Sequence, residues 1–238
     1  MVDEATALLA ANAGLNDLDD GPAPELAAYT DQSGSAPLAP QRAEAVLTAL
    51  HDVGAHSVAD VGCGEGALLR RMSADAAFTT IFGCDVSASA LVRAARALNL
   101  REASDSQRER VQLVQSSVTY QDDRIAGLDA IVLMEVIEHL DLERLPALES
   151  AVFGAAAPGA VIVTTPNADF NALFESLPAG SFRHRDHRFE WSRAEFVVWA
   201  TGVAARRGYT VEYRTVGEVD VELGSPTQLA LFRKATNR

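Results

Sequence analysis

Glu135-Val136-Ile137-Glu138-His139 places two carboxylates and an imidazole directly after the apolar stretch Asp129-Ala-Ile-Val-Leu-Met134. If a helical turn starts here, spacings of three and four bring Glu135, Glu138 and His139 onto one face, and such a face could hold a metal ion. The apolar stretch reads as a buried strand, and open α/β sheets bind ligands outside the carboxyl ends of their strands. A second reactive segment is Phe182-Arg-His184-Arg-Asp186-His187-Arg188-Phe189-Glu190-Trp191-Ser192-Arg193, with two histidines, four arginines and two acids beside aromatics. Part of it has a structural reading: Ser192 and Glu195 fit a capping box, and Phe189 and Trp191 fit a core. His184 and His187 are left for chemistry.

The elements upstream indicate what such a site would serve. Ser57-Val-Ala-Asp-Val-Gly62 reads as a buried strand, Cys63-Gly64-Glu65-Gly66 as a tight turn and Ala67-Leu-Leu-Arg-Arg-Met72 as the start of a helix. Glycines there let the backbone approach a ligand, and the helix start offers free N–H groups. A bare G-x-G-x-G is widespread in Rossmann-like folds. Here Asp60 precedes Gly62 by two, and the next strand ends in Asp85, where a carboxylate would meet ribose hydroxyls. A nicotinamide loop continues as G-x-G-x-x-G, whereas D-x-G-x-G-x-G followed by Gly83-Cys-Asp-Val-Ser87 resembles class I S-adenosylmethionine-dependent methyltransferases. That resemblance implies S-adenosylmethionine as cofactor, with Asp60, Gly62, Gly64 and Asp85 in its site. Ser116-Ser117-Val118 follows the third strand, where such enzymes contact adenine, which adds Ser117 and Val118. Serines after a strand are also ordinary turn formers.

The 238 residues are 48% hydrophobic with mean hydropathy near zero, which suits one globular domain with a sizeable core. Met1 is followed by acidic residues and no apolar run reaches bilayer length, so neither a secretory signal nor a membrane span is read, and the expected location is cytoplasmic. Cys63 and Cys84 fit reduced, buried thiols better than a disulfide or a zinc site. Residues 1–41 contain seven acids and no Lys or Arg, supplying −7 of the formal −13, so the remaining body is only mildly acidic. Ala5 to Ala11 could form a short helix, and residues 14–41 read as a linker. The expected division is an acidic, Pro/Gly-rich, partly mobile lead-in over 1–40 and a methyltransferase domain over 41–238.

From residue 41 the pattern alternates: helix 41–53, strand 57–62, helix 66–76, strand 79–84, helix 87–98, strands 111–115 and 129–134, helix 142–156, strand 160–165, helix 192–207, and strands 209–215 and 228–233. Such alternation predicts an α/β fold, a Rossmann-like, mainly parallel seven-stranded sheet with helices on both faces and one antiparallel strand near an edge. Asp105 to Arg110, all polar, is expected as a surface loop. Thr164-Thr165-Pro166-Asn167 ends the fifth strand, where Asn167 could shape a substrate pocket, although T-P-N is also a common turn.

Three motifs in order carry a closer resemblance: Glu135-Val-Ile-Glu138-His139-Leu, Thr165-Pro-Asn167-x-x-Phe170-Asn171, and Asp186-His187-Arg-Phe-Glu-Trp191 with Glu195-Phe196. Over roughly residues 38–235 they resemble the small-RNA 3′-terminal ribose 2′-O-methyltransferases of the Hua-enhancer type, whose bacterial branch works in RNA repair. The resemblance implies that Glu135, Glu138, His139 and His187 bind one divalent metal, Mg²⁺ or Mn²⁺, with His184 a further catalytic candidate. It also implies an RNA 3′ end with free 2′-OH and 3′-OH as substrate, and an RNA end-healing or ligase protein as partner.

The implied chemistry is coherent, because a cation lowers the pKa of a hydroxyl it binds and orients it, and the 2′-OH distinguishes RNA from DNA. Arg183, Arg185, Arg188 and Arg193, with Arg206 and Arg207 further on, are expected to form a basic rim for phosphates despite the negative total charge. The alternative is a small-molecule O-methyltransferase acting on a catechol or quinone precursor, because E-x-x-E-H runs occur there too; it predicts a closed, apolar pocket.

Overall fold

The computed structural model describes residues 37–178 and 180–235. A seven-stranded sheet runs through it in the order β3-β2-β1-β4-β5-β7-β6. The strands are β1 (Ser57–Val61), β2 (Thr80–Asp85), β3 (Val111–Gln115), β4 (Ala130–Met134), β5 (Ala160–Pro166), β6 (Tyr209–Val216) and β7 (Thr227–Lys234). β1 to β5 pair in parallel, and β7 lies antiparallel to both β5 and β6.

The central strands are continuous apolar runs because both faces of the sheet are covered. Alternation of side chains then divides the core in two. Ile131 and Leu133 of β4 join Val161, Val163, Phe153, Phe196 and Phe232 on one face. Ala130 and Val132 join Ile162, Leu50, Met72 and Leu231 on the other. Truncating a fully buried ring such as Phe232 to Ala should cost about 3–5 kcal/mol.

The helices are α1 (Leu38–Asp52), α2 (Ala67–Ala74), α3 (Ala88–Ala97), α4 (Asp105–Arg110), α5 (Leu145–Glu149) and α6 (Arg193–Arg207). Their ends follow local chemistry. Ser87 caps α3 by accepting from Ala90 N–H, and Ser192 with Glu195 forms the expected capping box on α6. The α6 helix stops at Gly208, whose φ of 71° favours glycine.

Three expectations need correction. Asp105–Arg110 is a short exposed helix, not a loop: Ser104 caps it, and Arg110 anchors its end on the carbonyls of Phe78, Ser73 and Asp75. The helix expected over 142–156 is three pieces, a 3₁₀ turn at Leu142–Arg144, α5, and π-helical turns over Ser150–Ala156. Pro146 in the first turn of α5 lacks an N–H to donate, which suits a fresh helix start there. Finally α1 begins at Leu38, so the end of the expected lead-in is already helical. The helix expected over Ala5–Ala11 lies outside the described residues. No helix among the described residues is long and apolar enough to cross a membrane.

Candidate active site

The acidic run begins where β4 ends. Glu135 takes a left-handed backbone, φ 56°, rare for a residue with a side chain, and the chain turns sharply out of the sheet. β5 holds this turn: Glu135 N–H donates to Thr164 O and Oγ1, both at 3.1 Å, and Thr164 Oγ1 donates back to Glu135 Oε1 at 2.8 Å. The other carboxylate oxygen faces Arg42 Nη2 of α1 at 3.0 Å.

A 3₁₀ turn, Ile137–His139, follows. Glu138 is fully buried; Thr165 Oγ1 donates to its Oε2 at 3.1 Å, and its Oε1 is the one buried side-chain polar atom among the described residues without a hydrogen-bond partner. Burial, and then the charge of Glu135, push the Glu138 carboxyl well above the usual range. His139, by contrast, is exposed at the rim. The single helical face expected for Glu135, Glu138 and His139 is not formed, because Glu135 with its left-handed backbone stands outside the helical turn, which spans only Ile137–His139.

The histidine segment docks onto this turn through the main chain: Arg188 N–H donates to Glu138 O at 2.7 Å. Three imidazoles then meet. The ring centroids of His139 and His187 are 4.9 Å apart, His184 and His187 5.5 Å, and His139 and His184 6.0 Å. Each offers a ligating atom, and these atoms lie within 4.8 Å of one another. His139 Nδ1 sits 3.3 Å from Asp186 O; although the residue is at the rim, burial of the ring and then the charge of His187 lower its pKa. His187 Nδ1 contacts Glu190 Oε1 at 2.5 Å, whereas His184 Nδ1 accepts from Asp186 N–H at 3.2 Å. The structure thus joins His184 to His139 and His187, and turns Glu135 and Glu138 toward Arg42, Thr164 and Thr165.

The glycine loop lies against the same turn. A Cβ added at Gly62, where φ is 84°, would come within 2.6 Å of Val136 Cγ2, so only glycine lets the two segments touch this closely. Asp85 is drawn into the loop: Gly64 N–H donates to Oδ2 and Ser87 N–H to Oδ1, both at 2.8 Å. Each oxygen keeps acceptor capacity for a ribose hydroxyl. Asp60 is buried beneath, its carboxyl pushed up to about 7 by burial and then by Asp85. Ser117 and Val118 line a small cleft with Val61, Cys84 and Tyr120, and Ser117 Oγ pairs with Thr119 Oγ1 at 3.0 Å in the turn that its residue type suggested.

Two readings change. Asn167 is fully buried and donates both amide hydrogens, to Leu223 O and Ser225 O at 2.8 Å, so it fastens the loop after β6 and is not free to shape a pocket. The basic rim shrinks. Arg183 is half-buried and donates to Asn171 Oδ1, Pro226 O and Asn167 O while its guanidinium stacks 4.8 Å above Phe174. Arg206 and Arg207 are held by Glu149, and Arg193 by Asp169. Arg185 and Arg188 stay exposed, with only long pairs to Asp186 and Asp141. Sequence reading gave no role to Arg42, Asn171 or Glu190; Asn171 and Glu190 stood inside the motifs Thr165-Pro-Asn167-x-x-Phe170-Asn171 and Asp186-His187-Arg-Phe-Glu-Trp191, whereas Arg42 had no local signal.

A family model described as a methyltransferase domain matches residues 59–162. The Small RNA 2'-O-methyltransferase of Xenopus tropicalis is 37% identical over 209 residues, covering 83% of this chain and 55% of that protein. Its counterpart in Arabidopsis thaliana is 32% identical over 213 residues, covering 83% of this chain and 23% of that protein. The chain spans about half the length of the first of these curated relatives. Among solved structures, the methyltransferase domain of bacterial CtHen1 is 45% identical, with a TM-score of 0.76 over 82% of this chain and 99% of that one. A structure described as small RNA methyltransferase HEN1 is 34% identical with a TM-score of 0.74, over 83% of this chain and 26% of that one.

Proposed function

The chain belongs to the small RNA 2′-O-methyltransferase family, as a domain like that of bacterial Hen1, and on that premise we propose that it moves a methyl group from S-adenosylmethionine to the 2′-OH of the 3′-terminal nucleotide of RNA. The observation that carries this reading is the meeting of His139, His184 and His187 beside the acidic turn, in contact with the glycine loop through Val136 and Gly62.

The donors fit a divalent cation. Glu138 Oε1 is a buried oxygen with no partner, and an anion left so is costly unless a positive charge joins it. Imidazoles and carboxylates together suit Mg²⁺ or Mn²⁺, with Mn²⁺ tolerating nitrogen better. Glu135, Glu138, His139 and His187 would hold the ion, Glu135 after exchanging part of its pairing with Arg42. When bound, the ion would lower the pKa of a ribose hydroxyl. The chain's own residues do the positioning: Asp85 and the Gly62–Gly64 loop orient the cofactor, and Arg185 and Arg188 meet the terminal phosphates. Holding both reactants in line supplies much of the rate.

The substrate would be an RNA 3′ end with both hydroxyls free. An RNA end-healing or ligase partner rests on the sequence resemblance alone. A cytoplasmic location agrees with two buried free thiols, Cys63 and Cys84. The test is methyl transfer to RNA ending in 3′-OH, in 3′-phosphate or in a 2′-deoxynucleotide, and to a catechol, with and without Mn²⁺. Transfer to the 3′-OH RNA alone is the expected result; transfer to the catechol at an equal or greater rate overturns the proposal.

A further inference from the structure

The carboxylate of Glu190 is 1% exposed and meets three nitrogen atoms. Its Oε1 lies 2.5 Å from His187 Nδ1 and 2.7 Å from Arg183 N, and its Oε2 lies 2.6 Å from Asn171 Nδ2. Two of these donors cannot reverse their roles. A main-chain N–H only donates, and the amide of Asn171 is fixed because its Oδ1 accepts from Arg183 Nε, which also only donates. Glu190 is therefore an acceptor on both oxygens, and the hydrogen between it and His187 sits on the imidazole. A neutral imidazole with its hydrogen on Nδ1 has a bare lone pair on Nε2.

We propose that Glu190 is a positioning residue that fixes His187 as the Nδ1–H tautomer, braced by Asn171 and Arg183, so that Nε2 is always the atom left to ligate. The metal side of this inference rests on the reading of His187 as a ligand; the tautomer does not. Carboxylates and carbonyls behind ligating histidines set ring orientation and basicity in this way. Even the isosteric amide fits less well, because a glutamine side chain at this position would have to turn its NH₂ toward one of the three donors.

The experiment uses the whole chain and Glu190→Gln. Long-range ¹H–¹⁵N NMR of the metal-free protein reads the tautomer of His187, electron paramagnetic resonance reads Mn²⁺ affinity, and calorimetry reads S-adenosylmethionine affinity. In the wild type His187 should be Nδ1–H. In E190Q it should become a mixture, with Mn²⁺ bound about tenfold or more weakly and with cofactor affinity unchanged. An Nε2–H signal in the wild type overturns the proposal, as does an E190Q variant that keeps both the tautomer and the Mn²⁺ affinity. Losses of Tm, cofactor affinity and metal affinity in parallel also overturn it, since a simple brace would give them. A wild type that shows Nδ1–H, loses it in E190Q and binds no Mn²⁺ supports the role of Glu190 and sinks the metal reading. If E190Q fails to fold, the wild-type spectrum decides.

Discussion

Arg42 and Glu135 meet at 3.0 Å with each side chain 19% exposed, and the same guanidinium donates Nε to Thr227 Oγ1 at 2.9 Å. One arginine on α1 thus joins the turn after β4 to the start of β7. It neutralises one carboxylate of a close acidic pair, since the charge of Glu135 is among the causes that raise Glu138.

Arg42→Met should remove that neutralisation while keeping the packing of the stem. Loss of a charged hydrogen bond in this setting should cost about 1–3 kcal/mol. Methyl transfer should fall by more than that instability explains. Urea denaturation and single-turnover rates on the same preparation check both, and an unchanged rate would remove Arg42 from the site.

Asp85→Ala should weaken S-adenosylmethionine binding by two routes, loss of the ribose acceptor and loosening of Gly64 and Ser87, whose N–H groups it accepts. Metal affinity should change little. Calorimetry with cofactor and with Mn²⁺ reads the two separately, and equal losses would contradict the separation.

Asp60 gives a pH prediction. Its folded carboxyl sits at about 7 against an unfolded value of 3.8, so between those values the native state binds more protons and stability falls as pH rises. Asp60→Asn lacks that penalty. Its advantage over wild type should be absent below about pH 4 and reach, to order of magnitude, about 4 kcal/mol above pH 7. Denaturant midpoints across pH measure it; an advantage that grows toward acid would reverse the assignment.

His187→Ala should abolish Mn²⁺ binding and most methyl transfer, while His184→Ala should cost less. The hydrogen bonds separate them: His139 Nδ1 faces a carbonyl and His187 Nδ1 a carboxylate, whereas His184 Nδ1 already accepts an N–H. Equal Mn²⁺ affinities for the two variants would contradict this ordering.

The glycine loop and the alternation of strands and helices were legible because both are written in local patterns, apolar runs bounded by Gly62, Gly64 and Asp85. The three motifs of the site were also visible, yet not its geometry. Whether Glu135 shares a face with Glu138 depends on a left-handed backbone held by Thr164 and Arg42, partners distant in sequence. Arg183 illustrates the same limit. In the sequence it is one of four similar arginines around two histidines, and the carbonyls of Asn167 and Pro226 with the Asn171 side chain make it a half-buried strut.

The position of β7 bears on how the molecule is made. The last described strand in sequence is interior to the sheet, inserted between β5 and β6. As the nascent chain leaves the ribosome, β1 to β5 can pair in parallel before β7 exists, leaving the apolar run Ala160–Pro166 as a bare edge and β6 without a neighbour. An exposed edge of that composition invites pairing with another chain. The cofactor half of the molecule can therefore form early, while Thr227, the anchor of Arg42, arrives only with the strand that closes the edge. Slow synthesis or pausing just before β7 should therefore favour aggregation over folding, even though β5 ends up paired on both sides.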